Sequence, residues 1–168
     1  NTRTKGNNTC IQGEVPQYIL QDNMEGARRA VEWYIETFGK DNFFLEIQNH
    51  GLPEELRAQQ VLCQLADEYG LGIVASNDFH YVMKDDADAQ DIRVCIQTGR
   101  RRAEVDRLKF PNDEYYLKSG DEMAELFGHI PGALENTVKI ADRCYVEFNF
   151  DEHHLPHFDV PEGETSKT

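Results

Sequence analysis

Two short apolar runs, Phe43-Phe44-Leu45-Glu46-Ile47 and Leu71-Gly72-Ile73-Val74-Ala75-Ser76, flank one stretch of helical periodicity. No other feature constrains the fold as tightly. Gly51-Leu52-Pro53 breaks the first run. Pro53 suits a first helical turn, where the missing amide would have had no partner. From Glu54 to Tyr69 the expected inner face runs through Leu56, Val61, Leu62, Leu65 and Tyr69, and Gly70 stops the helix. The second run has the length and continuous apolarity of a buried parallel strand. Strand, helix, strand in this order predicts a βαβ unit, and so an α/β chain with parallel strands alternating with helices.

Further elements extend this unit on both sides. Ala27, Ala30, Val31, Tyr34, Ile35 and Phe38 predict a helix over Asn23 to Phe38, capped by Asn23 and stopped by Gly39. Asp85 to Thr98 reads as a helix with Ala89, Ile92, Cys95 and Ile96 facing inward. Gly99 to Asp113 reads as a charged loop. A short helix follows over Ser119 to Phe127, with Ser119 and Glu122 placed to cap its start reciprocally. Another is expected over Pro131 to Cys144, and the alternation of Val146, Phe148 and Phe150 suggests a strand over Tyr145 to Phe150. Residues 1 to 13 read as loop, and residues 151–168, with Pro156 and Pro161, as a linker leaving the domain.

Charge narrows the function classes. Lys plus Arg number 17 against 31 Asp plus Glu, a net charge of −14. Such a chain is a poor candidate for gripping a polyanion by bulk charge, so contact with nucleic acid needs a local basic patch or a metal. No apolar stretch approaches the ~20 residues of a membrane span. The opening Asn1-Thr2-Arg3-Thr4-Lys5-Gly6 lacks the apolar run of a secretory signal, so a soluble, cytoplasmic protein without membrane partners is expected. Of Cys10, Cys63, Cys95 and Cys144, no two lie closer than 32 positions, which excludes a CxxC knuckle or redox motif. Cys63 and Cys95 fall on apolar helical faces, where a reduced thiol is expected.

The strongest chemical signal is Ser76-Asn77-Asp78-Phe79-His80, directly after the most strand-like run. Parallel sheets bind ligands beyond the carboxyl ends of their strands. On an extended backbone Asp78 and His80 would project the same way, forming a half-site for zinc, manganese or iron. The competing reading is an Asx turn beside a surface histidine. Cys10, in a Gly-flanked loop, is either a ligand or an idle thiol. His50, after the first strand, either lines the same mouth or bonds backbone. His153, His154 and His157 read as solvated linker rather than a cluster. Arg100-Arg101-Arg102, Arg107 and Lys109 could touch phosphates, but read first as solvated surface. No phosphate-binding Gly-rich loop or nucleophile elbow is present.

Several segments together carry a resemblance. They include Cys10-Ile11-Gln12-Gly13-Glu14-Val15-Pro16, Phe44-Leu45-Glu46-Ile47-Gln48-Asn49-His50-Gly51 and Ser76-Asn77-Asp78-Phe79-His80-Tyr81. Cys95-Ile96-Gln97-Thr98-Gly99, Glu122-Met123-Ala124-Glu125-Leu126-Phe127 and His154-Leu155-Pro156 follow in the same order. The chain resembles the alpha (catalytic) subunits of bacterial DNA polymerase III, within their polymerase-and-histidinol-phosphatase (PHP) domain. The resemblance implies a partial PHP-type distorted β/α barrel, its C-terminal half, over residues 1–150, and a linker toward the polymerase palm over 151–168. It implies that Cys10, Asp78 and His80 are metal ligands and that His50 is a possible mouth residue. The family's opening His-x-His motif lies upstream of the Cys10 position. No catalytic residue is therefore expected in this segment alone, which is expected to be inactive in isolation.

The parent is expected to be a DNA-directed DNA polymerase using magnesium, a primer-template and dNTPs, beside other subunits of the replicative holoenzyme. Its PHP site would bind divalent metal ions and could serve 3′–5′ exonuclease proofreading. A stand-alone PHP phosphoesterase and a non-catalytic structural module remain the alternatives. An open sheet edge would invite self-association.

Overall fold

The computed structural model describes residues 11–151 and Asp159. Helix α1 spans Glu14–Leu20 and α2 spans Met24–Phe38. Strand β1 (Phe44–Ile47), helix α3 (Pro53–Tyr69) and strand β2 (Gly72–Ala75) form the expected βαβ unit. Helices α4 (Ala87–Thr98), α5 (Gly120–Phe127) and α6 (Glu135–Arg143) follow. No helix among the described residues is long and apolar enough to cross a membrane.

The two strands pair in parallel, from Phe44 opposite Gly72 to Ile47 opposite Ala75. Side chains alternate across a strand. Leu45 and Ile47 of β1 and Ile73 and Ala75 of β2 therefore enter the core, together with Ala58, Leu62 and Leu65 of α3 and Val15 and Ile19 of α1. Phe127 at the end of α5 completes this core with Ile130 and Ala133. Among the described residues the sheet has two strands, so its parallel character is established but no barrel closes.

The far edge of β2 is occupied. The Ala75 amide donates to the Ala133 carbonyl at 2.9 Å. The Asn136 side-chain amide donates to the Ile73 carbonyl at 2.7 Å. The edge expected to invite self-association is thus satisfied on the β2 side.

Local chemistry sets the helix ends. The Asn23 carboxamide accepts from the Gly26 amide at 2.9 Å. Gly70 closes α3 in the left-handed region at φ 61°, where a β-carbon would be strained. At α5, Ser119 and Glu122 form the expected reciprocal cap. The Glu122 carboxylate also accepts from the Tyr116 hydroxyl at 2.6 Å. That bond pushes Tyr116 up to about 12 and holds Glu122 down at about 2.

Four expectations are corrected. First, α6 begins at Glu135 rather than Pro131, because Gly132 sits at φ 79° and no right-handed helix runs through it. Second, residues 145–150 form no strand. Tyr145, Val146, Phe148 and Phe150 are exposed, since alternation without a hydrogen-bonding neighbour buries nothing. Third, α4 buries Gln90, Val94 and Cys95, while Ala89, Ile92 and Ile96 face outward. The loop after the helix explains this choice. Arg107 folds back onto Asp91 with its side chain only 7% exposed, so the helix turns its acidic stripe toward the loop. Fourth, α3 buries Glu55 and leaves Leu56 exposed. In addition, α1 occupies a stretch to which the sequence pattern assigned no element.

Candidate metal-ligand loop beyond the strand ends

The chain leaves β2 at Ala75 and passes the carboxyl end of the sheet before α4 begins. The Ser76 amide still donates to the Ile47 carbonyl at 3.1 Å. Beyond it the strand conformation ends, and Asp78 lies at φ 42°, in the left-handed region that Asp tolerates better than most residues. The extended backbone expected for Asp78 and His80 is therefore absent. The two groups nevertheless converge, with the Asp78 carboxylate 4.0 Å from His80 Nδ1. Both side chains are about two-fifths exposed.

His80 is held in one tautomer. Its Nδ1 lies 2.7 Å from the Asp78 backbone carbonyl. A carbonyl only accepts, so Nδ1 carries the hydrogen and Nε2 of the neutral ring keeps its lone pair. Metal-bound imidazoles use the same device. The ring rests against Phe110, with centroids 4.7 Å apart. Asp78 offers a carboxylate oxygen and His80 an Nε2 lone pair, while the 4.0 Å approach of the carboxylate is to the protonated Nδ1.

Glu46 adds a carboxyl group that the sequence pattern did not single out. It accepts from the Ser76 hydroxyl and from Gln48. Burial raises its pKa and Asp78 adds to the rise, while the Ser76 and Gln48 bonds partly oppose it. Among the described residues no three His, Cys, Asp or Glu side chains form a cage that would hold a metal. Cys10 lies outside the described residues, as do His153, His154 and His157.

His50 follows the second of the readings weighed for it: it bonds backbone and offers no nitrogen to the mouth. It is 1% exposed. Its Nδ1 lies 2.7 Å from Glu55 Oε1, and its Nε2 lies 2.7 Å from the Asn77 carbonyl. With both nitrogens committed it has no lone pair for a metal. Burial alone would lower its pKa, but the Glu55 and Asn77 bonds outweigh burial and hold it raised. Burial would raise Glu55, but the bonds from His50 hold it lowered. The two form a buried imidazolium–carboxylate pair.

The basic stretch is exposed apart from Arg107, and three of its five basic side chains are paired within the fold. Arg102 pairs with Asp88 and Asp91, Arg107 pairs with Asp91, and Arg100 pairs with Glu104. The described cysteines Cys63, Cys95 and Cys144 are free thiols.

Comparison with known proteins bears out the expected resemblance. The family model described as "PHP domain" matches residues 3–50. The chain is 42% identical over 159 residues to a DNA polymerase III subunit alpha of Treponema pallidum, covering 95% of this chain and 14% of that protein. It is 42% identical over 164 residues to that of Thermus aquaticus, covering 93% of this chain and 13% of the relative. The subunit of Campylobacter jejuni is 35% identical over 159 residues, covering 89% and 13%. The chain thus spans about one-seventh of the length of the curated relatives it matches.

Proposed function

We propose that this chain is the C-terminal part of a PHP domain, residues 1–150, with the start of the linker toward the palm, residues 151–168, from the alpha subunit of a bacterial replicative DNA polymerase. The supporting observation is the similarity to alpha subunits along about nine-tenths of its length. In this reading the parent is a cytoplasmic DNA-directed DNA polymerase that extends a primer-template with dNTPs beside other holoenzyme subunits. The chain forms part of its distorted β/α barrel.

Within the parent, Asp78 and His80 hold a divalent cation together with Cys10, and zinc, manganese or iron suits that donor set. A cation so bound would supply Lewis-acid activation for 3′–5′ phosphodiester hydrolysis. The chain's own contribution is orientation. The Asp78 carbonyl fixes the His80 ring. The competing reading is a structural module, favoured because no three His, Cys, Asp or Glu side chains among the described residues group to hold a metal.

Elemental analysis of the full-length protein separates the two readings. Bound zinc, manganese or iron that falls in both Asp78→Asn and Cys10→Ser variants is expected. A parent that keeps no metal after supplementation and gentle purification would leave the module as the correct reading.

A further inference from the structure

We infer that His50 is a positioning residue that holds the Asp78–His80 loop in its ligand-presenting conformation. This role rests on the metal-site reading above. Between Ser76 and the single parallel bridge of Tyr81 with Tyr116 the loop makes no strand pairing, yet it carries Asp78 in the left-handed region. Backbone in such a conformation persists where its surroundings over-determine it. Here the surroundings are that bridge, downstream of Asp78, and one buried imidazole at the residue before it.

Glu55, in the first turn of α3, grips His50 twice. Its Oε1 lies 2.7 Å from Nδ1, and its Oε2 accepts from the backbone amide at 2.6 Å. The opposite ring nitrogen then donates to the carbonyl of Asn77, the residue immediately before Asp78, at 2.7 Å. The Asn77 side chain donates onward to the Tyr116 carbonyl at 2.6 Å.

The second candidate ligand is tied to the same centre. The Tyr115 ring stacks on His50, with centroids 4.0 Å apart and planes 9° apart. The Tyr115 carbonyl accepts the His80 amide at 2.8 Å. Asn112 closes the ring of contacts by donating to the His50 carbonyl at 2.7 Å. One side chain therefore links the first turn of α3, the loop before α4 and the segment before α5. Both candidate ligands hang from that junction.

The test uses the full-length protein and two readouts. His50→Phe alone leaves the Glu55 carboxylate buried and unpaired, and it can fail for that reason. The His50→Phe/Glu55→Met double variant removes both charges and keeps an apolar filling of similar volume. In the double variant, amide exchange over residues 76–82 is expected to quicken about tenfold, the loss of one buried hydrogen bond. Exchange in α2 should not change. Co(II) titration followed by its visible absorption is expected to show affinity about 10–100-fold weaker with an altered spectrum, as when an outer partner of a ligand is lost.

A variant that melts cooperatively but keeps parental exchange in the loop overturns the role. A Co(II) site that responds to His80→Ala but not to the double variant overturns the positioning role alone. A Co(II) spectrum indifferent to His80→Ala overturns the metal reading and the role of His50 with it.

Discussion

Glu55→Ala is expected to destabilise the fold by about 3–5 kcal/mol, the usual cost of breaking a buried ion pair from one side. The substitution leaves the His50 imidazolium, 1% exposed, without its counter-charge. It also removes the acceptor of the His50 backbone amide. The effect carries a pH signature. His50 is raised above its ordinary 6.5, so its contribution is complete below 6.5 and is lost as pH rises through its folded value. Glu55 is lowered from its ordinary 4.5, so its contribution is complete above 4.5 and is lost as pH falls through its folded value. The pair therefore stabilises fully between 4.5 and 6.5, and the deficit of Glu55→Ala should be greatest there. Urea unfolding of both proteins across pH measures this. A deficit under about 1 kcal/mol in that window would mean that the pair does not hold the fold together, because exposed pairs contribute no more.

Phe127→Ala is expected to cost about 3–5 kcal/mol, through lost transfer free energy and the cavity left behind. Phe127 is fully buried and is the largest such side chain in the core. It is the last residue of α5, so the cavity would open where that helix joins the hydrophobic core. Val105→Ala provides the control. That residue is 92% exposed and its loss should stay within about 0.5 kcal/mol. Equal urea midpoints for the two variants would show that α5 is not docked on the core as described.

The parts of the fold that could be read in advance are those fixed by short-range chemistry. Asn23 caps α2 through its own side chain, Gly70 accepts a backbone that other residues resist, and Ser119 with Glu122 closes a cap within three positions. The parts that could not be read depend on distant partners. Residues 145–150 alternate as a strand does, yet a strand needs a neighbour to bond with. Helix α4 carries two plausible inner faces, and Arg107, sixteen positions after Asp91, selects the less apolar one. In the candidate site, the sequence pattern marked Asp78 and His80 because they follow a strand. It could not show that His50 binds Glu55 and the Asn77 carbonyl, since the latter contact joins residues 27 positions apart. A separation of 30 positions likewise hid Glu46, whose side chain reaches Ser76 across the sheet.

The closed edge of β2 has a consequence for the order of events during translation. The bond that seals Ile73 comes from Asn136, 63 residues later in the chain. At ~5–20 residues per second the ribosome needs ~3–13 s to add that stretch. Throughout this interval β1, α3 and β2 are already synthesised, while the partner that Ile73 takes in the finished fold is not. The nascent chain is therefore most vulnerable to wrong pairing before Asn136 emerges. Stalled chains ending before and after that residue should differ in protease resistance, and equal resistance would show that the seal contributes nothing to early folding.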